Sequence, residues 1–279
     1  MSILNALDGG CLLSDNNRTL VIESIKRVSI IGVPISAVNM DSCVASIFQD
    51  LGKTKGKYIC VSNVHTTVMA HDNPAYYKVQ AESFMSVPDG KPLSIVGKKQ
   101  FPQMDRVTGP DLMRRIFDES KSRNLRHFFY GNSAENIEVF IEEIKRKWPW
   151  VVICGYEPSV FREMSEKEEN DLAERINMTK PDFVWVALGA PRQELFCKKM
   201  EGRIDGLMIG VGGAFNVLAG IVSEAPIWMQ KLSLEWFYRF IQEPKRLFKR
   251  YAVTNTKFIW YLITKKKPKK MEDDIVKRT

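Results

Sequence analysis

The chain has 279 residues, of which 44% are hydrophobic and 27% are charged, and its net charge is +8. These values are those of a soluble globular protein, and they exclude a chain that is too short or too polar to bury a sizeable core. Residues 230–270 hold twelve Lys or Arg and two acidic residues, so this segment carries +10 and the rest of the chain about −2. We therefore expect the C-terminal end alone to meet an anionic surface or ligand.

The cysteines and the apolar segments predict a cytoplasmic protein. The five cysteines are scattered, and none forms a Cys-x-x-Cys motif, which favours a reducing compartment. The first residues lack the basic and apolar regions of a signal peptide. Residues 206–222 form a run of 17 residues without a charge. This run is short for a membrane span of about 20 residues, so we predict a buried strand, a glycine loop and a short helix there.

Strands and helices alternate along the chain. Residues 1–26 are polar and weakly patterned, which predicts a flexible arm before a catalytic domain over 27–222. The alternation predicts a Rossmann-like, mostly parallel α/β sheet with helices on both faces. Apolar runs and helical periodicity predict strands over 27–33, 58–62, 84–87, 126–130, 151–155, 182–188 and 207–211, and helices over 40–52, 66–71, 74–82, 92–98, 110–122, 134–147, 165–178 and 191–200.

The C-terminal region is predicted to be a helical appendage over 223–264, followed by a basic tail over 265–279. Two amphipathic helices should break near Pro244, and Arg239, Arg246 and Arg250 would share a face if the helix were continuous. Apolar stripes beside Lys and Arg are typical of an interfacial helix, and each basic residue near anionic lipid contributes about 1 kcal/mol. We therefore predict peripheral membrane association. The alternative is a helical hairpin packed on the core, and exposed apolar surface could also be buried in a homo-oligomer away from the membrane.

Several predicted strands end in loops rich in Gly, Asn, Asp or Pro, which indicates a nucleotide or sugar-nucleotide site at the carboxyl ends of the strands. In 183–194 an apolar run ends abruptly in Gly-Ala-Pro-Arg-Gln-Glu, although an ordinary strand-to-helix turn would also fit this segment. The chain contains neither a G-x-G-x-x-G after a strand nor a P-loop, and it has no Asp-x-Asp. The three histidines, His65, His71 and His127, form no recognisable metal set. We expect chemistry without a bound metal or cofactor.

Short motifs follow one another from the first strand to the C-terminal region. In chain order they are GVPI from Gly32, NVHTT from Asn63, PDGKPL from Pro88, DRVTGPDL from Asp105, FYG from Phe129, GY from Gly155, GAPRQE from Gly189, GVGGAF from Gly210, AP-x-WM from Ala225, LEW-x-x-R from Leu234 and EP-x-R from Glu243.

With these motifs, over roughly residues 28–251, the chain resembles the WecG/TagA/CpsF family of bacterial glycosyltransferases (glycosyltransferase family 26). The resemblance implies transfer of a sugar from a UDP-sugar to a sugar on undecaprenyl diphosphate, at the inner face of the cell membrane. It also implies inversion at the anomeric carbon and no need for a metal. The products would be intermediates of exopolysaccharide, capsule, teichoic acid or common antigen. Glucose, N-acetylmannosamine and its uronic acid remain open as donor sugars.

The resemblance also implies roles for individual residues. Asp89 matches the proposed base, which would take the proton of the acceptor hydroxyl, although an Asp-Gly turn is a common structural use of this residue. Arg106 could neutralise the departing diphosphate or form only a surface ion pair. Gln193 matches an active-site glutamine. Substrate-binding roles are expected for Asn63, Thr66, Gly131, Tyr156, Pro191 and Asn216, and contacts with the lipid diphosphate or the membrane for Arg239, Arg246 and Arg250.

Two residues depart from the family pattern. Asn216 stands where many relatives have Asp, and Glu224 stands where an Arg often precedes Ala-Pro. Glu224 would bring an acid toward a segment expected to face phosphate.

The leading alternative function is a non-catalytic sugar-nucleotide or lipid-binding module, because a fold does not fix a function. A nucleic-acid binder is disfavoured, because the basic segment carries no nucleic-acid-binding motif.

Overall fold

The computed structural model describes residues 25–226, 228–229 and 235–268. Almost all of the predicted N-terminal arm, and residues 269–279 of the basic tail, lie outside the described residues. The strands are β1 (Arg27–Ile30), β2 (Val33–Ser36), β3 (Tyr58–Ser62), β4 (Met85–Pro88), β5 (Arg126–Gly131), β6 (Val152–Glu157), β7 (Phe183–Ala187) and β8 (Leu207–Gly210). The helices are α1 (Met40–Gln49), α2 (Leu51–Thr54), α3 (Val64–Asp72), α4 (Pro74–Glu82), α5 (Lys91–Lys98), α6 (Gly109–Ser120), α7 (Ala134–Lys147), α8 (Glu166–Met178), α9 (Arg192–Lys199), α10 (Ala214–Leu218), α11 (Glu235–Gln242) and α12 (Pro244–Thr264).

The centre of the protein is a six-stranded sheet with the strand order β4-β3-β8-β7-β5-β6. All five neighbouring pairs are parallel. Parallel sheets are covered by helices on both faces, so their strands are nearly continuous apolar runs. In agreement, every residue of β3 and of β8 is buried. The predicted parallel α/β sheet is confirmed.

Alternate residues of the strands enter two separate cores. Ile59, Trp185 and Ile209 point to one face, where they pack with residues of α1, α6 and α7. Tyr58 and Val184 point to the other face and pack with residues of α8 and α9. This alternation follows from the period of two along a strand. The apolar segment 206–222 forms β8, a glycine loop and α10, as predicted.

The predicted strand over 27–33 is wrong beyond Ile30. The chain instead turns at Ile31 and Gly32, both with positive φ (46° and 84°), and returns as β2 in an antiparallel hairpin. Glycine allows this conformation without steric cost. Residues of the hairpin pack with α3, α4, α5 and α12 in a third apolar cluster.

Over residues 235–268, the described part of the C-terminal region contains two helices, and they are separated at Glu243. Its backbone leaves the helical region (φ −132°, ψ 59°), and Pro244 occupies the first turn of the next helix, where proline is well tolerated. Arg239 therefore does not share one continuous helix with Arg246 and Arg250, which was the condition for a common face. The side chains of Arg246 and Arg250 lie outside what is described. Within the described residues, none of the helices has the length and apolarity needed to cross a bilayer.

Candidate functional site

A cavity of about 490 Å³ lies at the carboxyl ends of β3, β4 and β8 and beneath α12. We call it the strand-end pocket. The chain leaves β3 toward β4 on one side and reaches β8 from β7 on the other, so the pocket lies where ligands bind in open α/β sheets. Its size is within the range of small-molecule sites. It is lined by Asn63, Val64, His65, Asp89, Gly90, Lys91, Pro92, Thr108, Gly109, Pro110, Asp111, Val211, Gly213, Ala214, Val217, Ser223, Glu224, Ala225, Arg239, Tyr251, Thr254, Asn255, Phe258, Ile259 and Leu262.

The first turns of α3, α5 and α6 all line this pocket. Asn63 caps α3 by accepting from the backbone N–H groups of His65 (3.0 Å) and Thr66 (3.2 Å). Thr108 caps α6 by accepting from Asp111 N–H. The unpaired N–H groups and the dipole of a helix N-terminus attract anions. Three such termini around one pocket provide a site suited to phosphate groups.

Asp89 lines the pocket directly after β4. Its backbone N–H donates to the carbonyl oxygen of Ser62 at 2.6 Å, which ties the ends of β4 and β3 together. The carbonyl oxygen of Pro88 accepts from Val107 N–H at 2.7 Å. Asp89 is therefore held between two strand ends and the loop that leads into α6.

Among the described residues, the charged ones that line the pocket are three acids, Asp89, Asp111 and Glu224, and two cations, Lys91 and Arg239. Lys91 Nζ lies 3.2 Å from Asp105 Oδ1. All three acids belong to loops or first turns at the pocket wall. The pocket therefore carries charges of both signs, and Lys91 stands in the first turn of α5.

Glu224 and Asp111 are both bound by Arg114. Its guanidinium donates to Asp111 Oδ1 at 3.0 Å and to Glu224 Oε2 at 2.6 Å. Burial by itself lowers the pKa of Arg114, but hydrogen bonds and charges from the two acids outweigh burial and raise its pKa above the ordinary value. The acid at position 224, which departs from the family pattern, is thus compensated by a cation of α6.

Of the residues that were given catalytic, substrate-binding or lipid-contact roles from the sequence, the pocket brings together three: Asn63, Asp89 and Arg239. Arg106 is partly buried in the adjoining loop, where its backbone N–H donates to Asp105 Oδ1 at 2.8 Å, and it is not among the lining residues. Thr66 is a buried residue in the first turn of α3. Its Oγ1 accepts from the backbone N–H of Asn63 at 2.9 Å, which completes a capping box.

Gln193 lies outside the pocket lining, beneath the ends of β7 and β8. It is buried, its Oε1 accepts from Gly189 N–H at 3.1 Å, and its Nε2 donates to Glu194 Oε1 at 2.8 Å. A Cβ on Gly210 or Gly212 would come within 3.2 Å of its side chain. Burial raises the pKa of Glu194. The side-chain oxygen of Gln193 therefore holds the loop after β7 in shape, while its amide nitrogen binds the neighbouring residue of α9.

The remaining sequence-predicted residues lie farther along the sheet. Asn216, on α10, accepts from Asn132 Nδ2 at 2.6 Å, directly after β5. Gly131 ends β5 with φ 120°, and a Cβ there would meet Ala187 O of β7 at 2.5 Å, so only glycine fits. Pro191 follows β7. Tyr156 is on the edge strand β6, where its hydroxyl donates to Glu138 Oε2 at 3.0 Å. Their substrate roles stay predictions.

Helix α12 contributes to the pocket, and Thr254, Asn255 and Phe258 line it from above. The family resemblance implies that the C-terminal region closes over the active site, but the sequence did not indicate which residues of this helix would do so. The two polar residues Thr254 and Asn255 inside its apolar stripe were the available signal. Among the described residues, no three His, Cys, Asp or Glu side chains come together as metal ligands. Metal independence stays a prediction.

A parallel α/β sheet with a pocket at its switch point, lined by charged side chains and helix N-termini, is typical of enzymes that bind phosphate-containing ligands. The sequence model of the glycosyl transferase WecG/TagA/CpsF family matches residues 28–272. The chain belongs to this family and is a glycosyltransferase.

Two relatives carry the same description, N-acetylglucosaminyldiphosphoundecaprenol N-acetyl-beta-D-mannosaminyltransferase. The protein of Bacillus spizizenii is 33% identical over 198 residues, which cover 70% of this chain and 75% of the relative. The protein of Bacillus subtilis is 30% identical over 193 residues, which cover 68% of this chain and 73% of the relative. The family expectation from the sequence motifs is confirmed.

Proposed function

We propose that this glycosyltransferase moves a hexose-type sugar from a UDP-sugar to a sugar carried on undecaprenyl diphosphate. The transfer inverts the anomeric carbon, proceeds without a metal and contributes to cell-surface polysaccharide biosynthesis at the cytoplasmic face of the membrane. The two relatives support this acceptor class and make N-acetylmannosamine the first donor sugar to test. Glucose and the uronic acid of N-acetylmannosamine are the other candidates.

The observation that carries the proposal is the position of Asp89 in a pocket surrounded by three helix N-termini. In an inverting transfer the base removes the proton of the acceptor hydroxyl while the oxygen of that hydroxyl attacks the anomeric carbon. The bond to UDP breaks on the opposite face, and UDP leaves with the electron pair. One aligned carboxylate is sufficient for the proton transfer. Asp89 is the acid that follows a sheet strand directly at this pocket, which supports its assignment as the base.

The leaving diphosphate needs compensation of its negative charge. The first turns of α3, α5 and α6 offer backbone N–H groups and the positive ends of their dipoles. Lys91 and Arg239 add cations at the same pocket. Arg106 is adjacent in the loop before α6, and a contact of its guanidinium with the same phosphate groups is part of the proposal. These groups could replace a divalent ion.

The acceptor is a lipid, so the pocket must open close to a membrane. The outer face of α12 exposes Trp260 (59%) and Ile263 (74%), and α11 exposes Phe237 and Ile241. Apolar side chains on basic helices are typical of interfacial binding. Because α12 also lines the pocket, one helix would bring the membrane surface and the active site together.

The test is acceptor-dependent UDP release with EDTA present, using a panel of UDP-sugars and lipid-diphosphate sugars. Asp89→Asn should lower kcat by about 10²–10⁴-fold, since it removes a positioned base. Asp50→Asn is the matched control, because Asp50 forms an ion pair with the exposed Lys53 and does not line the pocket. Wild-type activity in Asp89→Asn would remove this residue from the mechanism. No release with any pair would favour the binding-module alternative.

A further inference from the structure

Asp72, the last residue of α3, joins α3 to α12. Its Oδ1 accepts from the hydroxyl of Tyr261 at 2.7 Å, and its Oδ2 accepts from Lys257 Nζ at 2.7 Å. Lys257 and Tyr261 are four residues apart on α12, so they project from the same side of the helix. One carboxylate therefore holds two successive turns of α12. We call Asp72, Lys257 and Tyr261 the Asp72 anchor.

The neighbouring His71 strengthens the same junction. Its ring is buried and stacks on Tyr261, with the ring centroids 3.8 Å apart and the planes inclined by 15°. Its Nε2 donates to the carbonyl oxygen of Lys266 at 3.1 Å, which lies beyond the end of α12. The stack and this hydrogen bond fix the orientation of the Tyr261 ring, so that its hydroxyl reaches Asp72.

The hydrogen-bond partners of Asp72 favour its ionised form. Burial by itself raises the pKa of Asp72, but hydrogen bonds from Lys257 and Tyr261 outweigh burial and hold its pKa below the ordinary value. The carboxylate is thus charged at neutral pH. Hydrogen bonds to a charged acceptor are shorter and stronger than neutral ones, which agrees with the two 2.7 Å distances.

Both helices of the Asp72 anchor also line the strand-end pocket. The first turn of α3 contributes Asn63, Val64 and His65, about 13 Å from Asp72 along the helix axis. On α12, Thr254 and Phe258 line the pocket one turn before Lys257 and Tyr261. Phe258 is 5% exposed and belongs to the third apolar cluster together with Tyr261. A rotation or shift of α12 at Asp72 would therefore change the upper wall of the pocket.

We propose that Asp72 is a positioning residue, which holds α12 through Lys257 and Tyr261 so that Thr254, Asn255 and Phe258 close the top of the active-site pocket. This inference rests on the proposed function, because it takes the strand-end pocket as the place of sugar transfer. A purely structural role of the ion pair would affect stability alone. A positioning role requires that looser docking of α12 weakens binding of the substrates that this helix covers.

The test compares Asp72→Asn and Tyr261→Phe with wild type and with the control Asp50→Asn. The first substitution keeps the shape of the side chain and removes its charge, and the second removes only the hydroxyl. Hydrogen–deuterium exchange over residues 250–264 measures the docking of α12 without any need for activity. Steady-state kinetics with the lipid acceptor then separates KM from kcat.

We expect Asp72→Asn to speed exchange over residues 250–264 and to raise KM for the acceptor about tenfold, with a smaller effect on kcat. Tyr261→Phe should act in the same direction but more weakly. Adding Lys257→Met to Asp72→Asn should produce less than the sum of the separate effects, because both substitutions remove the same ion pair.

Exchange in Asp72→Asn equal to that in Asp50→Asn would overturn the Asp72 anchor. Faster exchange with unchanged KM and kcat would show that Asp72 holds the helix but does not position the pocket wall, which also overturns the proposal. If the wild-type protein transfers no sugar to any acceptor, the proposed function fails. The exchange experiment still decides, in that case, whether Asp72 holds α12.

Discussion

His127 is buried at the centre of the sheet as a neutral base. The indole N–H of Trp185 donates to its Nδ1 at 3.1 Å, so its proton lies on Nε2, which donates to Ser120 Oγ at 2.9 Å. Ser120 in turn donates to the carbonyl oxygen of Ile116 at 2.7 Å. Burial lowers the pKa of His127 to about 3. The side chain completes a hydrogen-bonded chain that joins β7, β5 and α6.

This lowered pKa predicts a loss of stability in mild acid. Below pH 6.5 this histidine is protonated in the unfolded chain but stays neutral in the folded protein. The free energy of unfolding therefore decreases as pH falls, and it levels off only near the folded pKa of about 3. Between pH 8 and pH 5 the contribution is about 2 kcal/mol. Urea unfolding of wild type and His127→Gln at both pH values measures it. We expect the decrease from pH 8 to pH 5 to be about 2 kcal/mol smaller in the variant. His65 and His71 are present in both proteins, so equal decreases would contradict the prediction.

The candidate site could be predicted in part at the scale of residues. Asn63 and Asp89 follow buried strands directly, and parallel strands bring their carboxyl ends to one edge, so the sequence placed both in one pocket. Gln193 has the same kind of local sequence context, yet its amide is buried under the strand ends. The direction of the Gln193 side chain depends on the space above Gly210 and Gly212, which lie about 20 residues later in the chain. No local pattern carries that information.

Single elements show the same division between local and long-range causes. The parallel strands were predictable because each is a short apolar run between turn residues. The β1–β2 hairpin was not, because its turn places Ile31 at φ 46°, a conformation that a β-branched residue rarely adopts. The periodicity of α12 predicted a helix, but not which side faces the pocket. That choice depends on Asp72, which lies 185 residues away from Lys257 in sequence.

Segment 223–225 follows α10 and is tied to α6 through Glu224 and Arg114. Glu224→Arg restores a residue type common in the family, but here it would place two cations together. We expect a loss of about 1 kcal/mol, because the pair is partly exposed and surface ion pairs contribute little. Thermal unfolding measures the loss. Glu163→Arg is the matched control, since Glu163 is exposed and outside this network. A variant as stable as the control would show that Arg114 does not anchor the segment.

At the scale of the whole molecule, charge and exposed apolar surface coincide at the C-terminal end. Residues 230–270 carry +10 while the rest of the chain is close to −2. On α12, Val253, Trp260 and Ile263 are exposed at helical spacing, and the opposite side of the helix is fixed by Phe258 and Tyr261 in the third apolar cluster. One helix thus offers an outer apolar face and an inner pocket wall. Deleting it would remove both, so point substitutions on the outer face separate membrane binding from folding.

We therefore predict that replacing both Trp260 and Ile263 by Ser weakens binding to vesicles that contain anionic lipid. Burial of one large apolar side chain contributes about 1.5–3 kcal/mol, so losing both should reduce the partition coefficient by at least about tenfold. Vesicle co-sedimentation at low and high salt measures the apolar and the electrostatic contributions, since salt screens only the second. Met178→Ser is the matched control, because Met178 is 81% exposed at the end of α8. UDP-sugar binding should be unchanged in the double variant, because neither residue lines the strand-end pocket. Equal vesicle binding by wild type, control and double variant would rule out α12 as the membrane-contacting element.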